Sequence, residues 1–167
     1  MSFKSQLLEC LEHEDDLGMV IRAHIVVEQF LNTIIKSYVV DFDSYKKVKL
    51  SYEQTYLFAI AIGLNARFKP ALKAIGTIRN GFAHNLRSTS ITKQDSDALY
   101  KSLDKMEKDT LQGDYKKISK DFNEAPFNQI SPRQKFMYCV IIIGAALETV
   151  CKQLPNKALK NGLKTVG

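Results

Sequence analysis

Apolar residues recur along the chain at three- and four-residue intervals, and no stretch of strict alternation competes with them, so the pattern predicts helices throughout. The first covers Phe3 to His13. Asp15-Asp16 then precede a long one, about Leu17 to Tyr38, whose stripe Ile21, His24, Glu28, Leu31, Ile35 has the spacing of a core-facing surface. Residues 41–50 read as a polar loop. Ser51-Tyr52-Glu53-Gln54 has the form of a capping box and opens an apolar helix to about Leu64. Pro70 suits the first turn of the next, which runs to about Asn85 or Leu86. After a Ser- and Thr-rich loop at residues 88–90, one helix is predicted over roughly Gln94 to Thr110 and a short one over Asp114 to Asn123. Ser131-Pro132 cap the last long helix, to about Leu154. The expectation is an all-α, single-domain bundle of about five to seven helices, without a sheet, over residues 1–167.

The helix that begins at Pro70 separates into three arcs at about 100° per residue. Leu72, Ile75, Ile78, Phe82 and Leu86 form an apolar arc. Ala74, Thr77 and Gly81 form a small-residue arc; glycine inside a helix costs about 1 kcal/mol relative to alanine, so a close helix approach is expected at Gly81. Lys69, Lys73, Gly76, Asn80, His84 and Arg87 form a basic stripe with an amide and an imidazole in it. Arg79 stands at the edge between the apolar arc and this stripe. Two readings follow. In one, Arg79 and Glu28 make a buried ion pair that locks two helices, with His84 near a helix C-terminus where a cation is favoured. In the other, Arg79, Asn80 and His84 handle a phosphate: the guanidinium fork binds it bidentately and the imidazole transfers protons near neutrality. Glu28 orienting Arg79 is compatible with both.

Charge changes the weight of these readings. The net charge is +6, but it is unevenly spread. Residues 1–44 hold three basic and eight acidic side chains, whereas residues 45–93 hold nine basic and one acidic. The segment with the basic stripe is thus the most positive part of the chain, which favours a polyanionic partner, nucleic acid above all. Composition is otherwise that of a globular protein, 45% hydrophobic and 25% charged. Cys10, Cys139 and Cys151 form no Cys-x-x-Cys pair, and His13, His24 and His84 have no metal-pair spacing, so neither a disulfide framework nor a metal or other cofactor is expected. No secretory signal is visible, and the longest apolar run, Phe136 to Leu147, is shorter than the roughly 20 residues a bilayer span needs. A cytoplasmic protein without a membrane segment is expected.

Arg79-Asn80-Gly81-Phe82-Ala83-His84 resembles the Arg-x4–6-His motif of HEPN domains, in which a polar residue commonly follows the arginine. The long upstream helix with its internal carboxylate is also similar. Ala61-Ile62-Gly63-Leu64 leading to Ile78 through His84 resembles, more closely, the mannitol-operon repressor family. The resemblance covers about residues 17–86; residues 94–167 carry no signature. It implies a metal-independent endoribonuclease, of the toxin or anti-phage effector kind, working as a homodimer. The RNA 2′-hydroxyl would attack the adjacent phosphate to leave a 2′,3′-cyclic phosphate. His84 would transfer a proton, Arg79 would stabilise charge on the phosphoryl oxygens, and Asn80 would orient substrate or His84. Lys69, Lys73 and Arg87 would hold the RNA backbone. An antitoxin or regulatory protein would be a further partner. The competing reading is a non-catalytic transcriptional regulator or protein-interaction module like the mannitol-operon repressors, although no helix-turn-helix with a recognition helix is visible.

Other residues are read more plainly. Arg22 and His24 share the helix of Glu28 and are taken as surface or interface polar groups that could border the site. Cys139 and Cys151 read as core, and residues 152–167 as a basic, frayed tail.

Overall fold

A computed structural model describes residues 3–84, 90–122 and 125–154, and of His84, Ile118, Asp121 and Phe122 the backbone alone. Among these residues all regular structure is helical. Eight α-helices follow in chain order: α1 (Phe3–Glu12), α2 (Asp16–Tyr38), α3 (Phe42–Lys47), α4 (Tyr52–Ala61), α5 (Lys69–His84), α6 (Lys93–Ser102), α7 (Lys105–Phe122) and α8 (Pro132–Lys152). A 3-10 turn, Ala66–Phe68, leads into α5. The all-α expectation is met, and the count of five to seven is corrected to eight.

Helix starts are set locally. At α4 the Ser51 hydroxyl accepts from Gln54 N at 3.3 Å while Gln54 Oε1 accepts from Ser51 N at 2.9 Å, the reciprocal box that satisfies two free amides. Ser131 and Gln134 repeat it at α8, with Pro132 in the first turn. The additional helix α3 occupies the stretch expected to be a loop. Asp41 caps it by accepting from Ser44 N at 3.0 Å, and its rings extend a stack, with Phe42 5.5 Å from Tyr45 and Tyr45 5.5 Å from Phe58. A second correction concerns the break expected between residues 110 and 114. It falls instead at Leu103-Asp104, where Asp104 Oδ1 accepts from Glu107 N at 2.9 Å and starts α7. Gly113 lies inside α7.

One hydrophobic cluster joins the helices. α8 is its centre: Phe136, Cys139, Val140, Ile143 and Leu147 are almost inaccessible, and Ile141 and Ile142 on other faces are buried as well. A helix apolar on all sides belongs in a core. It packs on α1, α2, α6 and α7. By length and composition alone α2 and α8 are each apolar enough to cross a membrane; in this fold they face each other. The α2–α4–α5 side of the bundle is built on the other flank of α2.

α2 buries Met19, Val20, Ala23, Val27, Leu31, Ile34 and Ile35. The core-facing arc thus keeps Leu31 and Ile35 of the predicted stripe and leaves Ile21 half-buried. His24 and Glu28 flank this arc, with side chains 13% and 40% exposed. α5 follows its predicted apolar arc: Leu72, Ile75, Ile78 and Phe82 are all buried.

Long-range charges fasten the periphery. Asp16, at the start of α2, receives Arg133 from the first turn of α8 and also accepts from Ile91 N at 2.7 Å. Arg67 Nη1 reaches Asp104 Oδ2 at 2.8 Å and Glu107 Oε1 at 2.9 Å. Glu107 is buried, and its Oε1 accepts no aligned hydrogen bond. Burial pushes the Glu107 carboxyl up to about 7; its hydrogen bond with Asp104 adds to this and the Arg67 charge opposes it. That same hydrogen bond is the main reason Asp104 is held well below the usual carboxylate range.

In the folded protein Glu107 keeps its proton up to about pH 7, above the 4.5 of an ordinary glutamate. Its stabilising contribution is therefore complete below that ordinary value and is lost as pH rises through about 7. Glu107→Gln removes the titration but keeps the shape. Its melting temperature relative to the parent protein is expected to climb between roughly pH 5 and pH 8. Parallel melting curves for the two proteins across that range would contradict the assignment.

Candidate functional site

α2, α4 and α5 enclose a cleft of about 530 Å³. His24 and Glu28 line it from α2, Tyr52 and Tyr56 from α4, and Lys73, Gly76, Arg79 and Asn80 from α5. Ser51, Glu53 and Thr77 complete the lining.

The position of Tyr52 follows from the absence of a side chain at residue 76. A Cβ on Gly76 would sit 2.8 Å from Tyr52 Cε1 and 2.9 Å from Cδ1, closer than real contacts allow. Without it, the ring drops onto α5 and Tyr52 Oη donates to Leu72 O at 3.0 Å. The ring's other neighbours are Tyr56, with centroids 5.6 Å apart, and His24, with centroids 4.3 Å apart and planes at 42°. Tyr52 thus links all three helices. Burial pushes its phenol far above the ordinary tyrosine value, so the hydroxyl is a donor throughout the accessible pH range. The close approach expected at Gly81 occurs at Gly76. A Cβ on Gly81 would meet nothing within 4 Å, because Gly81 faces outward from α5.

Arg79 is half-buried, and its Nη1 donates to Asn80 Oδ1 at 3.1 Å. No ion pair joins it to any carboxylate among the described residues. The buried Arg79–Glu28 pair considered from the sequence is therefore not formed. Glu28, partly in solvent, needs no such partner; its Oε2 lies 3.9 Å from His24 Nδ1, one turn back on its own helix. Both residues nevertheless line the cleft that Arg79 lines. With one donor atom turned to a neutral amide, the guanidinium has further N–H groups for an incoming acceptor. Lys73 and Asn80 are exposed at the same opening.

The cleft brings together four of the residues singled out in the sequence: Glu28, Lys73, Arg79 and Asn80. Lys69, exposed in the first turn of α5, is not part of its lining. His84 is the last residue of α5; its side chain and the whole of Arg87 lie outside the described residues. The sequence points to His24 only as a polar group that could border the site, and to Tyr52 only as part of a capping box. His24 had a signal, its i, i+4 spacing to Glu28 on one helix face.

Burial lowers the His24 imidazole below its ordinary value of 6.5; Glu28 opposes this and the Arg79 charge reinforces it. Chemically the cleft combines a guanidinium, an ammonium and an amide for an anion with a neutral imidazole beside a carboxylate. Among the described residues no three His, Cys, Asp or Glu side chains gather as a metal cluster. No family model, curated protein or solved structure matches the chain.

The two glycines of α5 give opposite outcomes with alanine. Gly76→Ala drives a methyl into the Tyr52 ring and is expected to destabilise by about 1–3 kcal/mol, exceeding the roughly 1 kcal/mol helix-propensity gain. Gly81→Ala keeps that gain, up to about 1 kcal/mol. Urea denaturation of both variants checks the pair, and a Gly76→Ala protein as stable as the parent would refute the seat described for Tyr52.

Proposed function

We propose that this chain is a metal-independent endoribonuclease of the HEPN type, a toxin or anti-phage effector, with the α2–α4–α5 cleft as its site. The observation that carries the reading is Arg79: a half-buried guanidinium bound, among the described residues, only to the neighbouring Asn80, in a cleft with Lys73 at its opening. Structural arginines of this protein look different, since Arg67 and Arg133 are each held by carboxylates on distant elements. A phosphodiester supplies the charge that Arg79 lacks, and its two free oxygens match the guanidinium fork.

On this reading Arg79 stabilises the charge that builds on the phosphoryl oxygens, the largest single term in such chemistry. Asn80 orients Arg79 or the substrate, Lys73 and Lys69 attract the backbone, and His84 transfers a proton. The 2′-oxygen attacks the neighbouring phosphorus and leaves a 2′,3′-cyclic phosphate. A homodimer that pairs two such helices, and a protein partner that silences the activity, belong to the same proposal, as does a cytoplasmic place of work.

The test is incubation of the purified protein with RNA in EDTA. Cleavage leaving cyclic-phosphate ends is expected, with Arg79→Ala and His84→Ala each slower by at least about 100-fold. Intact RNA after prolonged incubation would refute the reading, and so would a His84→Ala protein as active as the parent.

A further inference from the structure

We infer that His24 is a proton-handling residue of the cleft, the base that receives the ribose 2′-hydroxyl proton, and that Glu28 is its positioning residue. This inference rests on the ribonuclease reading above and deepens it.

Three observations place His24 in this role. The imidazole lines the cleft of Arg79 and Asn80, with its side chain 13% exposed. Its plane is fixed by Tyr52, 4.3 Å away between centroids, and Tyr52 is in turn fixed by Gly76 and Leu72 O. Its Nδ1 faces Glu28 Oε2 at 3.9 Å. A carboxylate at Nδ1 favours the tautomer with hydrogen there, which leaves the Nε2 lone pair free to accept a proton. Such contacts are commonly long before substrate binds. Among the described residues neither ring nitrogen is engaged in a hydrogen bond, so no structural bond occupies the acceptor.

The charged and titratable groups that line the cleft with His24 come from all three helices: Glu28 from α2, Tyr52, Glu53 and Tyr56 from α4, and Lys73 and Arg79 from α5. Of these, Tyr52 packs on the ring, and Glu28 and Arg79 act on its charge. Burial and Arg79 keep the ring neutral at neutral pH, against the pull of Glu28. A neutral imidazole is the form a base requires. In the step itself, His24 Nε2 takes the proton from the 2′-hydroxyl as the 2′-oxygen bonds to phosphorus. The bond from phosphorus to the 5′-oxygen breaks, the 5′-oxygen takes the proton that the ribonuclease reading gives His84 to transfer, and solvent takes the proton of His24 and restores that of His84. The products are a 2′,3′-cyclic phosphate and a 5′-hydroxyl, with no change in oxidation state.

The experiment is a pH–rate profile for single-turnover cleavage of single-stranded RNA in EDTA by the full chain, its His24→Gln, His24→Ala and Glu28→Gln variants. The parent rate is expected to rise with pH through a midpoint below 6.5. His24→Gln is expected to lose that rise and at least about 100-fold of the maximal rate. His24→Ala should recover part of the rate with added imidazole. Glu28→Gln removes the group that raises the His24 value, so the rise moves to lower pH. Circular dichroism melts separate these effects from loss of fold, and Glu28, partly exposed, is the safer position. A His24→Gln protein that cleaves within threefold of the parent, with the same pH rise, overturns the inference and leaves the ribonuclease reading standing. A parent protein that cleaves no RNA removes both.

Discussion

The contact between Tyr52 and Gly76 is the constraint on which the α2–α4–α5 side of the molecule depends. A ring that lies against a helix backbone needs a position without Cβ, and α5 provides it within one turn of Leu72, whose carbonyl takes the phenol hydrogen. Because the same ring also packs on His24, it bridges α2 and α5 beside the place where those helices touch directly. The cleft opens along this bridge.

Charged residues divide into two populations on this basis. Asp16 with Arg133, Arg67 with Asp104, and Lys135 with Asp97 at 2.8 Å tie elements far apart in sequence. These part-buried pairs fix which helix ends meet. Among the described residues Lys73 and Arg79 of α5 form no such pair. Lys73 and Arg79 lie on the face turned from the core, and the acids of the chain are concentrated in its first 44 residues and beyond residue 94. In the cleft lining Lys73 and Arg79 stand against two carboxylates, Glu28 and Glu53.

What the sequence revealed and what it concealed follow from the range of each interaction. Capping at Ser51 and Ser131 is decided within four residues, and both helix starts were legible. The apolar arc of α5 was legible too, because one face dominates over four turns. The break before α7 was not, since Asp104 is selected as a cap partly through Arg67, 37 positions earlier. α3 was hidden by its shortness and by a stacking partner, Phe58, on the next helix. On α2 nearly every side of the helix carries apolar residues, so the spacing admitted two faces, and only packing against α8 decided between them. Gly76 and Gly81 looked alike as sequence. Their roles separated once α4 was laid beside α5. Of the site, the basic and amide residues of α5 could be read from one helix, whereas the His24–Tyr52 wall needed three.

The central place of α8 has a consequence for how the chain matures. Every helix it contacts precedes it in the sequence, so during synthesis α1, α2, α6 and α7 leave the ribosome with their inner faces uncovered. At about 5–20 residues per second they wait several seconds for residues 132–152. The nascent chain is therefore expected to stay loosely collapsed, with the α8-facing side of α2 uncovered, until α8 arrives.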